Sequence, residues 1–260
     1  MSRGLVAAFD TSGPLGSVAV AREGRVLARR FLLERGQHGS RLVPALEAAL
    51  KDAGGELRDV EDLVVGSGPG SFTGIRVAAA TARGLVWSLG LRLHAYSSLM
   101  AAAFADASRL PSRDELPQPL RGPEDLPAVE MDAETVRLAL FDARSDRAYA
   151  AAYRIRDARA EELRAPGPVT MDGLLAEALP EGTVFCGDGA LRHAERLRED
   201  SYTVAPPPLG VPTAEGLLRL LEVSPEAALV SEPARWTPDY LRPVGARPVL
   251  AGGADEVPAG

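Results

Sequence analysis

A short polar turn near the start of the chain holds residues that could do chemistry. It reads Asp10-Thr11-Ser12 and directly follows an apolar run, Leu5 to Phe9. A carboxylate and hydroxyls in this position, with Asp142 further along, could surround a magnesium nucleotide, one carboxylate acting as a general base. The same residue types also favour turns without any ligand, because their side chains hydrogen-bond the nearby backbone. Both interpretations stay open from the turn alone.

A second candidate is the glycine-rich stretch from Gly66 to Gly74, which follows another apolar run. It lacks the lysine that a P-loop requires, and the sixth position of a dinucleotide-binding fingerprint holds Ser71 or Thr73 instead of glycine. Good helix formers follow up to Leu89, so the pattern predicts a strand, a turn and a helix. Ser71 or Thr73 is expected to cap that helix at its start and Gly90 at its end.

The third candidate is His38, at the start of a predicted helix that extends to about residue 53. Position 42, where a second histidine would share its helix face, holds a leucine, and neither His94 nor His193 has a ligand-spaced partner. We therefore expect no metal ion at His38, and we expect its imidazole to cap or hydrogen-bond the helix start. A role at a partner surface is the alternative.

Composition limits the classes of function. The chain has 260 residues, 46% of them hydrophobic, a net charge of −7 and a single cysteine, Cys186. The acidic balance argues against a protein that holds nucleic acid by its own surface. The lone cysteine excludes an internal disulfide and fits a reducing cytoplasm. Because Asp10 interrupts the first apolar run, we expect neither a signal peptide nor a membrane-spanning helix.

The remaining segments predict an α/β protein with two lobes. Strand and helix patterns fill residues 1–107 and recur in residues 133–245. Between them, residues 108–132 contain five prolines and no periodicity, which predicts a linker or an exposed insertion. Residues 246–260 are rich in Gly, Ala and Pro and are expected to form a flexible tail.

Several of these motifs resemble one known family. The nonapeptide GPGSFTGIR, residues 68–76, is similar to the GPGSFTGLR signature of the TsaB (YeaZ) family. The opening strand with its Asp-Thr-Ser turn, the Ser-Ser-Leu at 97–99, the hairpin DARSDRAYAA at 142–151 and the closing PDYLR at 238–242 resemble the same family. The resemblance covers about residues 4 to 243 in order.

The resemblance implies a duplicated two-lobed fold of the actin-like, sugar-kinase and Hsp70 ATPase (ribonuclease H-like) type. It implies a cytoplasmic, non-catalytic partner subunit of TsaD, the enzyme that adds a threonylcarbamoyl group to the tRNA adenosine next to the anticodon. The ATPase TsaE would join the pair, tRNA would be bound only through the complex, and the free protein could form a homodimer. No cofactor or membrane contact is implied, and Asp10, Thr11 and Ser12 would be a vestigial phosphate turn.

The resemblance also implies where TsaD binds. The family pairs two helices of the first lobe, here residues 40–53 and 73–89, with the equivalent pair in TsaD. One helix carries a leucine stripe and the other a face of small residues, which lets helices approach closely. Either stripe could instead pack against its own sheet. The residues predicted for the partner interface are Leu42, Leu46, Leu50, Gly74, Arg76, Ala78 and Ala82.

The competing hypothesis is an ATP-dependent phosphotransferase of the sugar-kinase type, built on Asp10, Thr11 and Asp142. The chain is short for that class, and the second lobe has no clear Asp-x-Gly phosphate turn after its first strand. A metallopeptidase is excluded by Leu42, which takes the place of the second of the two metal-binding histidines found in TsaD.

Overall fold

The framework of the protein is a pair of five-stranded mixed sheets, described in a computed structural model that covers residues 4–34, 36–156 and 159–240. In the first sheet the strand order is 3-2-1-4-5, with the first three strands antiparallel and the last two parallel to the first. Its strands are β1 (Leu5–Asp10), β2 (Gly16–Arg22), β3 (Arg25–Leu32), β4 (Val60–Gly66) and β5 (Arg92–Tyr96).

The second sheet repeats this arrangement. The strand that follows the connecting segment pairs antiparallel with the next strand and parallel with the fourth, so the order is again 3-2-1-4-5. The predicted duplicated α/β fold is therefore confirmed. The strands are β6 (Val136–Asp142), β7 (Arg147–Arg156), β8 (Arg159–Thr170), β9 (Val184–Cys186) and β10 (Thr203–Val204).

Two long helices cover one face of the first sheet. They are α1 (His38–Asp52) and α2 (Phe72–Leu89). Because side chains alternate along a strand, Leu5, Ala7 and Phe9 of β1 all point to this face and join one core with the inner stripes of both helices. Ser71 caps α2 by accepting a hydrogen bond from the Gly74 amide, as predicted.

The opposite face of the first sheet is covered by α3 (Ser98–Phe104) and α7 (Ala214–Val223). Ala214 and Leu217 of α7 pack in one core with Val6 and Ala8 of β1. The predicted assignment of all of residues 133–245 to a second lobe is therefore wrong at its C-terminal end, because α7 buries its apolar stripe on the first sheet. The boundary between the two lobes at residues 108–132 stays a prediction.

Shorter helices pack on the second sheet, where Leu174 and Leu197 share a core with Leu138 and Phe185. No helix within the described residues is both long and apolar enough to cross a membrane. The predicted flexible tail, residues 246–260, and the end of the PDYLR motif lie outside the described residues. The helices of this unit are α4 (Met171–Leu175), α5 (Asp188–Arg192) and α6 (Ala194–Glu199).

The connecting segment, residues 105–132, contains residues 108–132, which were predicted to form a linker or an exposed insertion, and it is not exposed throughout. It forms short 3-10 turns, and two of its leucines, Leu116 and Leu120, are fully buried. They pack with Leu15 and Val211 in a small separate core. The segment has no helical or strand periodicity because it is shaped by these few long-range contacts.

Candidate functional site

The side chains of Asp10, Thr11 and Ser12 all make hydrogen bonds within the protein. One carboxylate oxygen of Asp10 accepts from the amide (2.7 Å) and the hydroxyl (2.6 Å) of Ser12, and the other accepts from Ser98 Oγ at 2.7 Å. The Asp10 side chain is completely buried, and this burial raises its pKa, while the hydrogen bonds from Ser12 and Ser98 act in the opposite direction. The carboxylate stabilises the turn from inside the protein.

The glycine-rich loop is hydrogen-bonded to this turn and packs closely against it. The Thr11 hydroxyl donates to the Gly74 carbonyl at 2.7 Å, and the Ser71 amide donates to the Ser12 carbonyl at 2.7 Å. A Cβ on Gly70 would lie 2.5 Å from the Ser12 carbonyl oxygen, and a Cβ on Gly74 would overlap the Thr11 carbonyl. Glycine is therefore needed at both positions for close backbone approach, which explains the spacing of the motif without a bound phosphate.

The end of the described chain returns to the same loop. Ser67 Oγ donates to the Asp239 carboxylate at 2.6 Å, and the Asp239 amide donates to the Ser67 carbonyl at 2.8 Å. Tyr240 lies 6.1 Å from Phe72, and the Arg76 guanidinium stacks 3.7 Å above the Phe72 ring. The glycine-rich loop and the PDY sequence, 172 residues apart between Ser67 and Asp239, thus form one structural unit.

A cleft of about 440 Å³ lies between the two sheets. Ser12 and His38 line it on one side, and Asp142 and Asp188 line it on the other. Asp142 is the last residue of β6 as Asp10 is the last residue of β1, and of these two candidate carboxylates for a magnesium nucleotide only Asp142 lines the cleft. Asp10 is buried behind the cleft wall. Thr11 is buried with it, and of the predicted phosphate turn Ser12 is the member that lines the cleft.

His38 is the first residue of α1, but it does not cap the helix. The N-cap is Gln37, whose side chain makes no capping hydrogen bond, so His38 does not cap the helix, and its imidazole contacts the backbone of Leu32 and Thr11, which lie outside α1. The half-buried imidazole lines the cleft, and burial lowers its pKa. Its Nε2 is shielded from solvent without a hydrogen-bond partner. Among the described residues no cluster of three or more His, Cys, Asp or Glu side chains is arranged to hold a metal ion.

The two carboxylates on the other wall differ in environment. Arg192 donates to Asp142 Oδ2 at 2.9 Å and forms an ion pair with that carboxylate. Asp188 accepts from the Asp142 amide at 3.3 Å, and its desolvation, reinforced by the negative charge of Asp142, raises its pKa to about 7. Asp188 was not among the predicted site residues, although the Gly187-Asp188-Gly189-Ala190 stretch is typical of a turn into a helix. This glycine-flanked aspartate was the available sequence signal, and in the structure Gly187 has a φ of 101° and α5 begins directly after it.

The predicted partner stripes are buried in the protein's own core. Leu42, Leu46 and Leu50 of α1 are at most 1% exposed, and so are Ala78 and Ala82 of α2. Gly74 is buried beneath Thr11. These six residues are therefore wrong as contacts with another chain, because both stripes pack on the first sheet. Arg76 is exposed, and its predicted role stays a prediction.

The opposite faces of the same helices are open to solvent. On α1 this outer face carries Pro44 and Ala48, and on α2 it carries Ala80 and Gly84, all exposed. It ends in Trp87, whose side chain is 90% exposed. A tryptophan left almost wholly in water is unusual, since large aromatic side chains are ordinarily well buried. The sequence analysis missed Trp87 because it followed the small-residue stripe on the other side of α2.

Comparison with known proteins gives consistent matches. A family model described as tRNA N6-adenosine threonylcarbamoyltransferase (TsaD) matches residues 33–120. The tRNA threonylcarbamoyladenosine biosynthesis protein TsaB of Bacillus subtilis is 36% identical over 98 residues, which are 38% of this chain and 43% of that protein. TsaB of Escherichia coli is 37% identical over 98 residues, 38% of this chain and 42% of that protein. The matched region thus spans less than half the length of these relatives.

Solved structures match over nearly the whole chain. YeaZ from Pseudomonas aeruginosa superposes with a TM-score of 0.68 at 25% identity, covering 92% of this chain and 100% of that one. A second crystal structure, of an uncharacterized protein with similarity to peptidase YEAZ from the same organism, gives 0.71 at 26% identity with the same coverage.

Proposed function

Because this chain belongs to the TsaB (YeaZ) family, we propose that it is a non-catalytic partner subunit of a TsaD-type threonylcarbamoyltransferase. In this role it takes part in adding the threonylcarbamoyl group to the tRNA adenosine next to the anticodon. TsaE joins the complex, tRNA is bound only through it, and the complex works in the cytoplasm. The net charge of −7 supports the indirect contact with tRNA, since a phosphate backbone is held by basic surfaces.

The hydrogen bonds that the Asp-Thr-Ser turn makes within the protein support a non-catalytic role. A phosphotransferase built on this turn needs Asp10 and Thr11 free to reach a magnesium nucleotide. Here Asp10 accepts three hydrogen bonds within the protein and Thr11 donates to Gly74. Asp142, the remaining candidate, is paired with Arg192. Calorimetric titration with magnesium ATP is expected to show no turnover, and measurable hydrolysis would favour the phosphotransferase.

The observation that carries the partner assignment is the exposed outer face of α1 and α2. It combines small residues, Ala48, Ala80 and Gly84, with Trp87 at one end. Small residues let a partner helix approach closely, and an exposed aromatic supplies apolar area that is buried on association. We therefore propose this outer face, which also includes Arg76, as the interface with TsaD in place of the inner stripes.

The same face would allow the free protein to form a homodimer. A surface patch that pairs with its own copy closes a two-fold dimer, and the exposed outer faces of α1 and α2 are the patch that we propose for this pairing. A homodimer through this face would compete with TsaD for it. We therefore expect the dimer to dissociate as TsaD is added, which analytical ultracentrifugation can follow with purified components.

Replacing Trp87 tests the partner assignment. Trp87→Ser is expected to weaken binding to a TsaD homologue by about 30-fold or more, the loss of a typical aromatic hot spot. Leu163→Ser is the matched control, because Leu163 is also an exposed apolar side chain but lies on β8 of the second sheet. Binding is measured by titration calorimetry of the folded variants. Equal affinity of Trp87→Ser and the parent protein would contradict the assignment.

A further inference from the structure

We propose that the connecting segment, residues 105–132, is a brace that holds the two sheets at a fixed angle and so fixes the opening of the cleft between them. This role is independent of any partner and goes beyond the proposed function. The segment makes three sets of contacts, the first with the first sheet, the second with a small core between other elements, and the third with the second sheet.

At its start the segment is tied to the first sheet by ion pairs. Asp106 accepts from Arg219 of α7 at 3.0 Å. Arg109 pairs at 3.3 Å with Glu215, also on α7, and Glu215 pairs at 3.2 Å with Arg29 of β3. Glu215 is largely buried, so this network is less screened by water than an isolated surface pair.

In its middle the segment is held by apolar packing. Leu116 and Leu120 are 0% and 1% exposed and pack with Leu15, which precedes β2, and with Val211, which precedes α7. A flexible linker would leave its leucines partly in water, whereas these two are as buried as any residue of the main cores.

At its end the segment contacts the second sheet. Asp125 pairs with Arg198 of α6 at 2.9 Å, and Leu126 packs against the core of the second sheet. Gly122 approaches α5 so closely that a Cβ would lie 2.7 Å from Leu191 Cδ2. The segment therefore spans from the first sheet to the second.

Internal hydrogen bonds make this span stiff. The Arg113 guanidinium donates to the carbonyls of Arg121 at 2.8 Å and Gly122 at 2.9 Å. Arg121 in turn donates from Nε to the Leu116 carbonyl at 2.9 Å. These bonds close the segment on itself between its apolar anchor and its contact with α5. A span that cannot stretch resists hinge motion between the two bodies that it connects.

The brace can be tested by measuring the distance between the sheets. Spin labels are placed away from the proposed partner face, at the exposed positions Arg25→Cys on β3 and Glu195→Cys on α6, in a Cys186→Ala background. Pulsed dipolar spectroscopy is expected to give one narrow distance distribution. In the double variant Leu116→Ala and Leu120→Ala, which loses the middle anchor, the distribution is expected to become about twofold wider or to split.

Controls separate bracing from general destabilisation. Gln118→Ala changes an exposed residue of the same segment and is expected to leave the distribution unchanged. Gly122→Val disturbs the contact with Leu191 and also strains the backbone, because Gly122 has a φ of 58°, and it is expected to widen the distribution as well without removing a buried leucine. A folded leucine variant with the parent's narrow distribution would overturn the proposal. Failure of both the leucine and the Gly122 variants to fold would also overturn it, because the segment would then belong to the folding core.

Discussion

The carbonyl oxygen of Thr11 fills the space into which a Cβ on Gly74 would project, while the Thr11 hydroxyl donates a 2.7 Å hydrogen bond to the Gly74 carbonyl. The two residues hold the first turn of the chain against the first turn of α2. Since the close approach and the hydrogen bond act at the same point, neither side of the contact can move independently. The glycine-rich motif therefore lets the turn at the end of β1 pack directly against the start of α2.

Replacing Gly74 tests this packing role. Gly74→Ala is expected to destabilise the protein by about 2 to 4 kcal/mol, because the methyl group must displace backbone. Gly84→Ala is the matched control on the same helix: nothing lies within 4 Å of a Cβ there, so it is expected to stabilise the protein by about 0.5 to 1 kcal/mol. Both values come from urea unfolding. Similar changes at the two positions would contradict the packing role.

The two faces of α2 are expected to respond oppositely to the same substitution. Ala82→Glu places a charge among apolar residues at a position with 0% exposure and is expected to cost about 3 kcal/mol or more, which prevents folding at moderate temperature. Ala78→Arg should act in the same way. Ala80→Glu, on the exposed outer face, is expected to fold normally and to lose binding to TsaD. A folded Ala80→Glu variant that binds TsaD like the parent protein would exclude this face.

The sequence predicted the two sheets because alternating apolar strands report burial directly. It also predicted that α1 and α2 each have one buried stripe. Periodicity could not decide what buries that stripe, because Leu46 would show the same spacing against a sheet of its own chain or against a partner helix. The interface prediction failed for this reason, and Trp87, on the other face, went unnoticed.

The connecting segment shows the opposite limitation. Leu116 and Leu120 stand among prolines without any periodicity, so composition indicated a linker. Their burial depends on Leu15 and Val211, which are about a hundred residues away in each direction. No local pattern carries that information. The environments of His38 and Asp188 could not be predicted for the same reason. Both side chains line the cleft that the two sheets form together.

Asp188 is expected to make the protein less stable as pH rises. Its pKa increases from 3.8 to about 7 on folding, so the folded state binds the proton more tightly than the unfolded chain. The resulting stabilisation is complete below pH 4 and is lost as pH rises to 7. Asp188→Asn is therefore expected to equal the parent protein at pH 4 and to exceed it by about 1 to 2 kcal/mol at pH 8. Unfolding in urea at both pH values measures this, and parallel pH curves would refute it.

Asp62 is expected to show the opposite pH dependence. This buried carboxylate on β4 accepts two hydrogen bonds from Arg92, at 2.8 and 2.7 Å, and one from His94 Nε2 at 3.0 Å. Burial by itself raises the pKa of Asp62, but the hydrogen bonds from His94 and Arg92 outweigh it and leave the pKa below its usual value of 3.8. The folded state therefore favours the charged form, and the stabilisation is present above pH 4 and is lost as pH falls further.

Replacing Asp62 by Asn is accordingly expected to cost about 2 to 4 kcal/mol at pH 7, because the Arg92 and His94 donors lose a charged acceptor. The difference from the parent protein should narrow as pH falls below 4. Glu61→Gln is the control: Glu61 is the neighbouring residue, half exposed and 3.7 Å from Arg92, so its replacement should change stability by less than about 0.5 kcal/mol. If Asp62→Asn keeps the parent's stability at pH 7, or loses stability in acid as steeply as the parent, the three hydrogen bonds do not stabilise the charged carboxylate.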